Sequence, residues 1–244
     1  MDFTFIGFYD LFGAVPRTDP LIVVPINQTT EQETDSTAAF FELDLEVRDN
    51  LTLTLGGRSI DEDKRSQACD GGYPACPNLN TDANAGWTKF TPKVALKYQA
   101  NPDVMLYGLH SQGYRSGGFN GRWGSVNSAT VPYDPETVTN TEFGIKTTLR
   151  DNRIHFNITV FSMDYDDKQI DADVVDPTAA TGRSTVTNNV AEATFRGLEL
   201  ELHALVSENF SIDANLGTLS AEFGEFFADF TGFAVALSPM LSMA

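Results

Sequence analysis

Apolar and polar residues alternate with a period of two through most of this chain. After Asn50, Leu51, Leu53 and Leu55 alternate with Thr52, Thr54 and Gly56. Val94, Leu96 and Tyr98 alternate with Lys93, Ala95 and Lys97, and Phe143, Ile145, Thr147 and Leu149 with Gly144, Lys146, Thr148 and Arg150. The same beat runs through Ile154, Phe156, Ile158 and Val160, through Leu198, Leu200 and Leu202, and through Phe210, Ile212, Ala214 and Leu216. A period of two sends successive side chains to opposite faces of a strand, so each strand has one face in an apolar medium and one in water. Lys93, Lys97, Lys146, Glu199 and Glu201 all fall on the polar face.

Four tight polar turns punctuate the pattern: Asp49-Asn50, Asn101-Pro102-Asp103, Asp151-Asn152 and Ser207-Glu208-Asn209. Their starts are 52, 50 and 56 residues apart. Each lies between two alternating runs, which is a hairpin signal. Longer polar segments, over roughly 65–86, 119–134 and 171–187, separate successive hairpins. The pattern predicts about nine strands, counting one over 3–9, of about 10–15 residues each, whereas strands of globular proteins cluster near 5–6. A tilted membrane strand needs about 9–11. The fold class is therefore all-β: an antiparallel transmembrane β-barrel segment, a meander with short periplasmic turns and long extracellular loops. A soluble sandwich or lipocalin-like barrel also alternates, with its polar face outward.

Composition narrows the choice. A net charge of −18 repels nucleic acid, because binding phosphates requires clustered Lys and Arg. Eighteen Phe in 244 residues mark a chain built to bury or embed rings rather than a disordered acidic one. The longest apolar runs, such as "LIVVP" from Leu21, fall far short of the ~20 residues of a membrane helix. No basic segment followed by an apolar core marks a signal peptide. Met1 leads directly into the strand-like "DFTFIGFY", and the ending "FAVALSPMLSMA" has neither alternation nor a cap, so the chain reads as a piece of a longer one.

Several motifs then occur in order: "GWTKFTPKVALKYQANPDVMLYGLHSQGYRSGGFN", "PYDPETVTNTEFGIKTTLRDNRIHFNITVFSMDYDDKQI" and "NNVAEATFRGLELELHAL". Together they closely resemble the barrel of TonB-dependent outer-membrane receptors, over roughly residues 36–226. The resemblance implies a share of a barrel of about twenty-two strands, plugged by an N-terminal domain and coupled through an N-terminal box to the energy-transducing protein TonB. It also implies the outer membrane of a Gram-negative bacterium, outer-membrane lipid as a partner, and import of iron–siderophore complexes, haem, cobalamin or other nutrients. Neither plug nor TonB box is found, residues 233–244 stay unassigned, and the family's aromatic-ended terminal strand is absent. Nine strands do not close a barrel, and an open edge in lipid leaves backbone groups unpaired. The expectation is part of an uptake receptor, non-functional alone. The alternatives are a non-transporting structural or adhesive outer-membrane β-protein and a soluble ligand-binding β-domain.

Candidate chemistry is sparse. No Ser-His-Asp, Cys-His or paired-carboxylate arrangement stands out, so no enzyme, catalytic residue or cofactor is expected. Cys69 and Cys76 in "CDGGYPAC" read as a loop disulfide rather than a metal site. His110, His155 and His203 sit on separate strands without a partner motif and read as ordinary wall residues, so no metal is expected. The run "DYDDKQIDADVVD", from Asp164 to Asp176, lacks the Gly and Glu of a calcium loop and reads as solvated loop. Arg115, Arg122, Arg183 and Arg196 are the substrate-binding candidates, since guanidinium groups suit anionic siderophores. Residues 104–114 read as a strand with Met105, Tyr107 and Leu109 outward, and Tyr107, Tyr114, Phe119 and Trp123 as part of an interfacial aromatic girdle. "GYRSGGFN" lacks the order of a phosphate loop. It reads as the upper end of a strand, where glycines let the backbone pack closely and Arg115 points inward.

Overall fold

The computed structural model describes residues 2–5, 26–70, 81–121, 125–179, 182–224, 226–229 and 234–237. Nine strands pair in chain order in one antiparallel, unclosed sheet. They are β1 (Asp2–Phe5), β2 (Ile26–Arg48), β3 (Leu51–Asp70), β4 (Thr81–Asn101), β5 (Val104–Arg115), β6 (Glu136–Leu149), β7 (Ile154–Val175), β8 (Arg183–Ser207) and β9 (Phe210–Phe223). A one-turn helix, α1 (Val126–Thr130), lies between β5 and β6, and β10 (Phe226–Asp229) pairs with β11 (Ala234–Leu237) as a separate ribbon. The meander and its nine strands are those expected from the alternation.

All four expected turns are present at one end of the sheet. Three are flanked by register shifts, at Glu46/Arg48, Gln99/Asn101 and Leu205/Ser207. Side chains close these turns locally: Asn101 Oδ1 accepts the Asp103 amide at 2.9 Å, and Ser207 Oγ accepts the Asn209 amide at 3.4 Å. The fourth turn places Arg150, Asp151 and Asn152 at φ of 55°, 56° and 66°. Asp and Asn tolerate this left-handed region because their short polar side chains bond locally, which accounts for their choice there.

The strands run further than the sequence suggests. β7 and β8 have 22 and 25 residues, so strand extends to Asp70 and from Thr81 within the first segment read as a long loop, and to Val175 and from Arg183 within the last, while the middle one widens from 119–134 to 116–135. The acidic run expected to be loop is mostly strand. Its aspartates are paired rather than merely solvated: Thr194, Thr187 and Thr185 on β8 donate to Asp164, Asp171 and Asp173 on β7 at 2.9, 2.7 and 2.6 Å. Strand length came out short because the density of aspartates in this upper region reads as loop, although Ile170, Ala172 and Val174 still alternate with Asp171 and Asp173.

Registers fix which residues share a face. Leu51, Tyr98, Leu106, Ile145, Ile158, Leu200 and Leu216 form one unbroken cross-strand row over seven strands. One residue out of phase, Thr52, Lys97, Tyr107, Gly144, Thr159 and Glu199 form a row on the opposite face. Along β4 the polar-face residues Trp87, Lys89, Thr91 and Lys93 are half-buried, while Phe90, Pro92, Val94 and Leu96 opposite are exposed. The polar face is thus the covered, inner one. Large apolar side chains stand outside in the open, Phe143 at 60% and Leu216 at 61% exposure. Water does not favour such a surface, and a contiguous one marks a membrane or protein contact. The apolar band on β8 runs from Leu198 to Val206, roughly 27 Å of strand at about 3.4 Å per residue. Directly above it the outer face turns polar in the row His110, Thr141, Ser162, Arg196 and Ser220.

Candidate functional site

The long-loop end of the inner face holds the densest polar packing. After Arg115 the chain leaves β5, and residues 116–121 and 125–135 lie against the inner face as a strap. At the strap's start, Lys64 Nζ donates to Ser116 Oγ (2.6 Å) and to the Gly117 carbonyl (2.8 Å), and Ser116 Oγ donates to Glu62 (2.9 Å). Gly117 lies so close to the Tyr133 carbonyl and the Trp87 ring that a Cβ there would stand 2.3 and 2.6 Å from them. Gly118 and Tyr133 exchange backbone hydrogen bonds of 3.1 and 2.9 Å. This close packing is the role expected for the glycines of "GYRSGGFN".

The strap reaches both sides of the sheet. Gln32 of β2 donates to the Phe119 carbonyl (3.1 Å), and Asn120 accepts from the Thr187 amide of β8 (2.6 Å). Ala129 of α1 and Ala68 of β3 form a buried apolar contact. Asp176, just past β7, accepts from the hydroxyls of Ser125, Ser184 and Thr178, and these bonds hold its carboxyl well below the usual carboxylate range.

Beside the strap lies an open recess of about 390 Å³, bounded by Arg115, Tyr133, Lys168, Gln169, Asp171 and Phe223 among others. Arg115 is 68% exposed and stands 3.9 Å from Glu136, which is itself nearly buried. The ladder between β7 and β8 shifts register around Lys168, with Asp167 at φ 54°. Such a bulge re-aims the side chains that follow it. Gln169 is locked there: its amide donates to Glu136 (2.7 Å), and its side chain donates to the Ser116 and Asp134 carbonyls (2.9 and 3.0 Å). Lys168 Nζ lies 4.2 Å over the Tyr165 ring, which starts an edge-to-face ladder through Phe195 (5.4 Å) to Phe223 (6.3 Å). Burial pushes the Tyr133 hydroxyl above its ordinary pKa, against the lowering effect of Arg115. Two cations line the recess beside Asp171, and Lys168 stands over an aromatic face, an arrangement that can meet an anionic ligand carrying planar groups.

A model of the TonB-dependent receptor-like β-barrel matches residues 2–241. The chain belongs to the TonB-dependent receptor family. Its fold is shared with solved receptors at low identity. The siderophore receptor PiuA from Acinetobacter baumannii superposes with a TM-score of 0.65 at 20% identity, over 92% of this chain and 30% of that one. The ferric yersiniabactin uptake receptor FyuA from Yersinia pestis gives 0.63 at 18%, over 84% of this chain and 30% of that one. The ferric preacinetobactin receptor BauA, also from Acinetobacter baumannii, gives 0.52 at 18%, over 89% and 29%. This chain thus spans about three tenths of these receptors. The family is one of outer-membrane transport receptors, not of enzymes.

Within this receptor wall the four candidate arginines separate. Arg115 lines the recess. Arg183, at the start of β8, donates to the Asp173 carbonyl at 3.2 Å. Arg196 stands on the outer face, in the polar row just above the apolar band, because it shares the phase of Leu198 and Leu200. A one-residue difference in phase exchanges faces, and an arginine considered without counting from its apolar neighbours is easily assigned to the wrong one. Arg122 lies outside the described residues, as do Trp123 and Cys76. Cys69, at the end of β3, is 1% exposed and disulfide-bonded.

Counting phase also corrects the girdle. Tyr107 is on the inner face with Met105 and Leu109; its hydroxyl bonds Glu142 (2.5 Å) and Thr159 (3.1 Å), and Lys146 lies 5.5 Å over its ring. Phe119 is buried in the strap at 4% exposure. Sequence reasoning missed Lys168, Gln169 and the Tyr165–Phe195–Phe223 ladder. Their partners are distant in sequence, and the bulge that turns Lys168 and Gln169 inward leaves no compositional mark.

Proposed function

We propose that this chain is part of the wall of an outer-membrane receptor for active uptake of iron–siderophore complexes or similarly anionic nutrient chelates. Its apolar band faces lipid, its tight turns face the periplasm and its strap end faces outward. The seven-strand apolar row backed by a polar row that includes Lys97 and Glu199 carries this reading, because a lipid-facing sheet with a wet interior gains from both. The recess between Arg115 and Lys168 is the proposed ligand contact, with Arg183 nearer the loops and Arg122 a further proposed substrate contact. Arg196 is proposed instead for the lipid headgroup level. Cys69 is proposed to pair with Cys76, a local bridge suited to an oxidising envelope. TonB is engaged through the N-terminal region of a complete receptor.

The test is the double charge reversal Arg115→Glu with Lys168→Glu in a complete receptor containing this wall. Binding of ferric catecholate, hydroxamate and carboxylate siderophores is measured on cells with matched surface abundance. Affinity for the siderophore that binds is expected to fall at least about tenfold, the loss of one charge-assisted contact at roughly 1.5–3 kcal/mol. Unchanged affinity would remove the recess from the binding surface.

A further inference from the structure

Near the tight-turn end, the inner face carries one row whose chemistry the uptake reading leaves unused. Thr148, His155, His203 and Asp213 stand directly opposite one another on β6, β7, β8 and β9. The two imidazole centroids are 6.1 Å apart, with ring planes at 37°. Asp213 Oδ1 lies 2.6 Å from His203 Nδ1. An ionised carboxylate only accepts, so Nδ1 carries the proton and the Nε2 lone pair of His203 is free to ligate. On the other side, Thr148 Oγ1 lies 3.4 Å from His155 Nδ1. Each ring is therefore engaged at Nδ1 by a side chain from a flanking strand, which leaves Nε2 as the nitrogen each ring can offer to an ion.

We propose that His155 and His203 form a cross-strand two-imidazole site for a borderline divalent ion such as Ni2+, Cu2+ or Zn2+. A common ion about 2.1 Å from each Nε2 sets the ring centroids roughly 5–6 Å apart. A small side-chain rotation from 6.1 Å reaches this spacing. Water completes the coordination, since the His203 side chain is 51% and that of Asp213 69% exposed. Asp213 acts as the outer carboxylate that orients His203, not as a ligand. The site has two protein ligands, and among the described residues no group of three or more His, Cys, Asp or Glu could hold an ion. Imidazole ligands select these ions over Mg2+ and Ca2+, and Cu2+ is expected to bind tightest of the three. The inference rests on the row itself and does not depend on which medium covers the outer face.

The experiment titrates Ni2+ into the full chain, without an affinity tag, in detergent, and follows binding by calorimetry. One ion per chain is expected. His155→Asn and His203→Asn should each weaken binding at least about tenfold through loss of one imidazole. Asp213→Asn should keep the stoichiometry and weaken binding by about 10–100-fold, as outer-shell partners do. His110→Asn, on the outer face, should leave binding unchanged and serves as the folded reference. Pulsed electron paramagnetic resonance of the Cu2+ form should show two imidazole couplings, reduced to one in each histidine variant. Unchanged affinity in either histidine variant, one coupling in the native chain, or no saturable binding by a chain with intact strand circular dichroism would overturn the site.

Discussion

Leu200→Arg is expected to destabilise a complete barrel containing this wall by about 2–4 kcal/mol, the cost of an arginine near the bilayer midplane. Leu200 sits within the outer band of β8, between Leu198 and Leu202, and in the row Tyr98, Leu106, Ile145, Ile158, Leu200 and Leu216. An arginine there has no partner in hydrocarbon and must drag water or bend towards a headgroup. Glu201→Arg, one residue on, should cost under about 1 kcal/mol, the scale of an exposed pair. Glu201 lies in the inner row of Lys146, Asn157 and Asn215 and loses one hydrogen bond, from Asn157 Nδ2 at 3.1 Å. Urea unfolding in lipid vesicles gives both values. Equal costs would mean that the two faces are wrongly assigned.

Gly117→Val is expected to release the strap. Any Cβ at this position meets the Tyr133 carbonyl at 2.3 Å, and that carbonyl is fixed in the Gly118–Tyr133 bridge. The Trp87 ring closes the other side. Overpacking of this kind costs about 1–3 kcal/mol, and here it falls on a segment held mainly by hydrogen bonds. Limited proteolysis should cut within residues 116–135 many times faster in Gly117→Val than in the native protein. Gly121→Val is the internal control, because nothing lies within 4 Å of a Cβ there. Equal cleavage of all three proteins would show that the strap is not seated on Trp87 and Tyr133.

Much of the fold was legible because lipid-type burial writes a strict period of two. Leu198, Leu200 and Leu202 against Glu199 and Glu201 specify a face without any knowledge of neighbours, and Asp49-Asn50 and Asp151-Asn152 specify the turns. Legibility fell above the apolar band. There, Ile170, Ala172 and Val174 still alternate with Asp171 and Asp173, but the aspartates dominate the composition, and the Asp171–Thr187 pairing across β7 and β8 is set by register alone. The site was harder still. Arg115 was found by its chemistry, but Arg196 has the same chemistry and opposite phase. Lys168 owes its place to a bulge. His155 and His203 are 48 residues apart in the chain and become adjacent only through the β7–β8 register. Contacts set by register are invisible to spacing motifs, which read one strand at a time.

The most direct test of the lipid-facing wall is a spin-label scan along β8 from Leu198 to His203 in a reconstituted complete barrel, one label at a time. Collision with dissolved oxygen reports lipid, and collision with a water-soluble nickel chelate reports the aqueous interior. Labels at 198, 200 and 202 should be oxygen-accessible and shielded from nickel, with the reverse at 199, 201 and 203. A scan without this two-residue alternation, or with its phase inverted, would contradict the membrane wall.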